Sequence, residues 1–81
     1  MRIYGTEAGE PSIRRPGHTY AELIGGPLDG QLLDVTGWTA QQVLDGALLI
    51  SEIGMYGQGG RSDYAGREVG RGQLFWQGDT P

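Results

Sequence analysis

His18 is the single histidine of this sequence and its one side chain with an ordinary pKa near neutrality. Acid–base or nucleophilic work would need a nucleophile beside it and a group to orient its ring. The only hydroxyls close in sequence are Thr19 and Tyr20. A lone histidine at a strand start more often serves a surface or pairing role, so catalysis is not expected here. The ten Asp and Glu residues are the types used in glycoside hydrolysis and two-metal sites. None of them cluster at metal-ligand spacing. Asp29, Asp34 and Asp45 would meet only through the fold, and turn and surface roles explain them.

The run Gly57-Gln58-Gly59-Gly60-Arg61-Ser62 invites comparison with phosphate-cradling loops. Such a loop needs a lysine followed by Ser or Thr at the opening of a helix. The chain has no lysine, and the residues after Gly60 read as strand. Gly70-Arg71-Gly72 likewise fits a hairpin turn. The aromatics Tyr64 and Trp76, near Arg61, Arg67 and Arg71, would suit stacking of single-stranded bases. Core packing and interface anchoring explain them more simply. The expectation is a protein without enzymatic activity, cofactor or metal.

The charge distribution points the same way. The formal net charge is −4. It is concentrated in residues 18–52, which hold Glu22, Asp29, Asp34, Asp45 and Glu52 and no base. Residues 1–17 are slightly basic through Arg2, Arg14 and Arg15. An acidic centre argues against non-specific nucleic-acid binding, where arginine and lysine must neutralise phosphates. All basic residues are arginine, which fits GC-rich coding. No stretch approaches the roughly 20 apolar residues of a membrane span. The N-terminus lacks the apolar core of a secretory signal. With no cysteine, neither a disulfide nor a thiolate metal site can supplement the core.

Eighty-one residues make one domain. A chain of this size buries only about 60% of the surface that its unfolded form exposes. Sixteen glycines and 37% apolar residues imply many turns, a β-rich fold and stability drawn partly from association. Residues 1–17 show no period and read as an extended arm. Residues 18–81 read as a small β-rich domain. Strands are expected near His18–Ile24 and Gln31–Val35, joined by the turn Gly25-Gly26-Pro27-Leu28-Asp29-Gly30.

Thr39 followed by Gln42 has capping-box spacing, and Gly46 suits a helix end, so a short helix is expected over 40–45. Trp38 stands at its mouth. Ala47–Ile53 is the most hydrophobic run and reads as a central strand, with Met55-Tyr56 a further extension past Gly54. A weak strand around 63–65 and a last strand over 73–77 complete the set. The fold class is mainly β: a small antiparallel sheet or half-open barrel of about five strands with one short helix.

The segment Tyr20–Gly30, with Gly25-Gly26-Pro27-Leu28-Asp29-Gly30, resembles small proteins of actinobacteria and their phages. Those carry an early Gly-Gly-Pro-x-Asp-Gly turn, then a tyrosine-bearing strand and a C-terminal aromatic strand. Tyr64 and Leu74-Phe75-Trp76-Gln77-Gly78 stand in the corresponding places. The group has no assigned activity, so the resemblance implies an actinobacterial or phage setting and carries no site residues.

Together these readings give a non-enzymatic structural or accessory protein of a larger assembly, such as a phage capsid decoration protein. Its location would be a virion or the bacterial cytoplasm. Its partners would be protein subunits, including copies of itself, and neither nucleic acid nor membrane. Candidate contact residues are Arg2, Ile3, Tyr4, Arg14, Arg15, Trp38 and Tyr56. Ile3 and Tyr4 would anchor the arm on a neighbouring subunit. The alternative is a protein-binding regulator or inhibitor that acts through the acidic surface.

Overall fold

The computed structural model describes residues 2–5, 14–51, 53–68 and 72–81. Its strands are β1 (Tyr20–Ile24), β2 (Leu32–Asp34), β3 (Ala47–Ile50), β4 (Arg61–Ala65) and β5 (Gln73–Thr80), and its one helix is α1 (Ala40–Asp45). The strands form one curled sheet, a half-barrel, in the order β2-β1-β5-β4-β3. The mainly β class, the five strands and the single short helix are as the sequence reads.

The expected antiparallel sheet is mixed: the pairing is antiparallel except between β1 and β5, which run parallel. The cause lies in the connections. The turn at 25–30 uses one edge of β1 for its hairpin partner β2. The meander β3–β4–β5 then reaches the other edge of β1 with its last strand, whose direction two hairpin reversals have already set.

Each local feature has a cause in the residues. The Gly25–Gly30 turn is closed by Gly30 N–H donating to the Leu23 carbonyl at 2.8 Å. Asp29 has no positive φ. Its carboxylate accepts from Gly25 N–H at 2.6 Å, as short acidic side chains do in turns. Thr39 caps α1 with the full capping box: Gln42 N–H donates to the Thr39 hydroxyl at 3.1 Å, and Thr39 N–H donates to the Gln42 side chain at 2.8 Å. At the other end Gly46 has φ +80°, and an added Cβ would lie 1.8 Å from the Tyr64 carbonyl oxygen. Only glycine fits there.

Two further expectations need correction. Ala47–Ile53 was expected as the central strand. The structure ends β3 at Ile50 and places it at the sheet's margin, while β5 takes the middle. Short runs of apolar residues do not by themselves distinguish a central strand from an edge strand. Met55 and Tyr56 do not extend the strand either. Residues 53–60 fold as successive turns, with N–H groups of Gly54, Gly57 and Gly60 donating to the carbonyls of Ser51, Gly54 and Gly57. The last strand also runs further than expected, to Thr80, through a register shift opposite Asp63 and Tyr64.

The core is built from Ala21, Leu23, Leu28, Leu33, Val35, Leu49, Tyr64 and Leu74, with Tyr4, Trp38, Val43 and Ala47 packed around it. Tyr4 belongs to the segment read as a free arm. Ile3 forms a parallel bridge to Leu32 of β2. Tyr4 N–H donates to the Leu32 carbonyl at 2.7 Å, and Leu32 N–H to the Arg2 carbonyl at 2.8 Å. The Tyr4 hydroxyl reaches across to donate to the Ile50 carbonyl on β3 at 3.0 Å. The first residues therefore lie at the seam between the two margins of the sheet. The middle of the expected arm, residues 6–13, lies outside the described residues.

Candidate protein-interaction surface

The chemistry-bearing residues are mostly engaged in holding the fold. His18 Nδ1 lies 2.6 Å from Asp34 Oδ2, and its ring stacks on Tyr20 with centroids 6.3 Å apart. The other oxygen of Asp34 accepts from the Thr36 hydroxyl at 2.5 Å and from Thr36 N–H at 3.0 Å. Thr19 N–H in turn donates to the Thr36 hydroxyl at 3.0 Å. The two Thr36 hydrogen bonds, with help from His18, hold the Asp34 carboxyl down at about 2. Asp34 orients the imidazole, but among the described residues no hydroxyl is bonded to the second ring nitrogen. The cluster is a clasp between the residues before β1 and the end of β2.

Asp79 is a second clasp. It accepts from Met55 N–H at 2.9 Å, from the Ser62 hydroxyl at 2.6 Å and from Trp76 Nε1 at 2.9 Å. These bonds, led by that from Met55, lower its carboxyl below the ordinary value. They tie the 53–60 loop to β4 and β5. Two more acids accept internal bonds, Asp29 from Gly25 and Asp45 from the Gln41 amide at 2.8 Å. Among the described residues, no group of three or more acids, histidines or cysteines could hold a metal ion.

Tyr64 is fully buried. It offers no ring face to a base, contrary to the stacking arrangement considered for the sequence. Its hydroxyl donates to the Gly25 carbonyl at 2.6 Å and accepts from Leu28 N–H at 2.9 Å. Burial raises the phenol above its usual range, so it stays protonated and able to donate. The Trp76 ring lies against Gly26, where an added Cβ would stand 2.4 Å from the indole. The early glycine turn, the tyrosine strand and the C-terminal aromatic strand thus meet at one place, and their shared purpose is to seat the turn. Arg67 lies 4.0 Å over the ring of Phe75, beside a shallow cleft with Glu68 and Gln73.

Among the described residues, five of the six exposed large apolar side chains lie in β3 and the loop after it, the sixth being Trp76 on β5. Leu49 faces the core, while its neighbours Leu48 and Ile50 are 57% and 58% exposed. In the loop that follows, Ile53 is 75% exposed, Met55 77% and Tyr56 47%. Strand β3 has no charge, no proline and no bulge, the usual devices that stop an edge from pairing with another chain. Just before its start, Trp38, Gln42, Asp45 and Gly46 line an open hollow of about 270 Å³.

The structure distributes the candidate contact residues unevenly. Tyr4 touches the end of β3, Trp38 flanks its beginning, and Tyr56 lies in the loop after it. Arg2 and Ile3 sit along β2. Arg14 and Arg15 are exposed in the approach to β1, where Arg15 N–H donates to the Tyr20 hydroxyl at 2.9 Å. Sequence reasoning did not single out Leu48, Ile50, Ile53 and Met55. Their signal was present as an apolar run, but placing that run in the sheet's centre hid its exposed half.

Comparisons with protein-family models, with curated proteins and with solved structures give no match. No helix among the described residues is long and apolar enough to cross a membrane.

Proposed function

We propose that this chain is a non-enzymatic structural or accessory protein that binds a neighbouring subunit of a larger assembly through the edge of its sheet. The observation that carries this reading is the uncharged strand β3, with Leu48 and Ile50 exposed and Ile53 and Met55 exposed just after it. An open edge supplies backbone hydrogen bonds to an added strand, and alternate side chains supply selectivity. Exposed patches of this kind mark contact sites more often than chance on soluble proteins. The setting we propose is a phage virion, with this protein as a capsid decoration or similar component, on the strength of the turn and aromatic-strand resemblance.

Relative to the sequence reading, the emphasis moves from the arm to the sheet edge, because Ile3 and Tyr4 are seated on their own domain. The alternative of an acidic contact surface is weakened by the internal bonds of Asp29, Asp34, Asp45 and Asp79.

A photo-crosslinking side chain placed at Leu48 or Ile50 in producing cells tests the proposal. It should capture one partner in high yield, whereas the same probe at Arg14 should capture little. Association should also depend weakly on salt, since apolar contact and backbone pairing dominate. Binding that weakens steeply with salt would reject the edge in favour of the acidic face.

A further inference from the structure

We infer that β3 pairs antiparallel with β3 of a second copy of this chain about a two-fold axis. The inference rests on the reading of β3 as a contact edge and names its occupant.

The backbone fixes the register. Ser51 N–H donates inward to the Gly60 carbonyl at 3.0 Å. By the two-residue alternation of an antiparallel ladder, Leu49 and Ala47 also direct their backbone groups at β4. Leu48 and Ile50 then direct theirs outward, as the bond from the Tyr4 hydroxyl to the Ile50 carbonyl shows directly. Among the described residues, two registers find partners for the outward groups. One pairs Ile50 with Gly46 of the second copy, but Gly46 N–H is already given to the Gln42 carbonyl at 3.0 Å. The other pairs Leu48 with Ile50 of the second copy, and Ile50 with its Leu48, so every outward group finds a partner. The Ile50 carbonyl has two lone pairs and can keep its bond from Tyr4.

In that second register Leu49 faces Leu49 across the axis. Two consequences favour a second copy as the occupant. The strand ladder brings together no like charges, although each chain carries a net charge of −4. An isologous contact also counts the patch twice. At roughly 200 Å² per large apolar residue, covering Leu48, Ile50, Ile53, Met55 and Tyr56 in both copies removes about 1,250 Å² from water, where specific interfaces begin.

Sedimentation equilibrium of the purified full chain, over a dilution series, reads the mass directly. The expected result is a species of twice the 8.7 kDa chain mass that dissociates on dilution. Leu48→Glu and Ile50→Lys each place a charge opposite an apolar side chain, so each should give a monomer with an unchanged circular dichroism spectrum. The double variant sets the two new charges, of opposite sign, against each other across the axis and should recover the dimer. Because the chain has no cysteine, an equal mixture of Leu48→Cys and Ile50→Cys chains gives a second test. Opposed residues lie about 5.5 Å apart at Cα, within disulfide reach, so the mixture should form a cross-linked pair that neither chain forms alone. A chain that stays monomeric at the highest concentration, a dimer that both single charge variants leave intact, or a mixture that does not cross-link overturns the inference. If the purified chain is monomeric while the probe at Leu48 captures another protein in cells, the contact edge stands and self-pairing falls.

Discussion

At the scale of single residues, the hydroxyl of Tyr64 has the clearest consequence. It serves a half-buried carbonyl and a buried N–H at once, at Gly25 and Leu28. Removing it leaves both without a partner, and each such group costs about 1–3 kcal/mol. Tyr64→Phe should therefore destabilise the fold by about 2–4 kcal/mol, with a fall in Tm of roughly 10–20 °C for a domain this small, measured by thermal denaturation. Asp34 gives a pH signature. Its carboxyl titrates at about 2 in the fold against an ordinary value of 3.8. A lowered carboxylate value stabilises the native state when ionised, fully above about pH 4, and the contribution is lost as pH falls through the folded value. Urea midpoints of Asp34→Asn should lie below those of the parent chain at neutral pH. The gap should narrow on acidification and close near pH 2. A gap of constant size would show that the carboxylate's charge has no part in the clasp.

Among the elements, α1 was legible to the residue because its cause is local. Thr39, Gln42 and Gly46 encode a cap, a reciprocal bond and a stop within eight residues, and the structure contains all of them. The glycine turn was legible for the same reason, down to its hairpin. What its sequence did not reveal was its support, since Tyr64 and Trp76 come from strands far along the chain. The place of β3 was not legible either. Its apolar run is compatible with a buried or a marginal strand, and only the pairing of β5 with β1 decides which one the sheet makes. The link between α1 and β3 is correspondingly intolerant. An added Cβ at Gly46 would meet the Tyr64 carbonyl while the backbone holds a positive φ. A chain of 81 residues holds about 4–12 kcal/mol in total. Overpacking with backbone strain costs about 3 kcal/mol or more. Gly46→Ala should accordingly remove about 3 kcal/mol or more of that total, read as a lowered urea midpoint and a fall in Tm of more than about 10 °C.

For the molecule as a whole, the question is what its first residues do. A curled sheet of five strands that does not close has two margins. Arg2, Ile3 and Tyr4 pair with β2 at one margin, and the Tyr4 hydroxyl reaches the Ile50 carbonyl at the other. They complete the half-barrel from within the same chain. Deleting residues 1–5 should then lower stability and strip hydrogen-exchange protection from the Leu32 amide, which donates to the Arg2 carbonyl. Tyr4→Phe should spare that amide, because the pairing to β2 uses backbone alone. It should loosen only the contact with β3. A segment whose sole task was to grip a neighbouring subunit predicts the opposite: an isolated chain whose exchange and thermal stability ignore the deletion. The two margins therefore have different standing. The β2 margin is paired along its backbone by the N-terminal residues, whereas the β3 margin receives from them the single side-chain bond of Tyr4 to the Ile50 carbonyl.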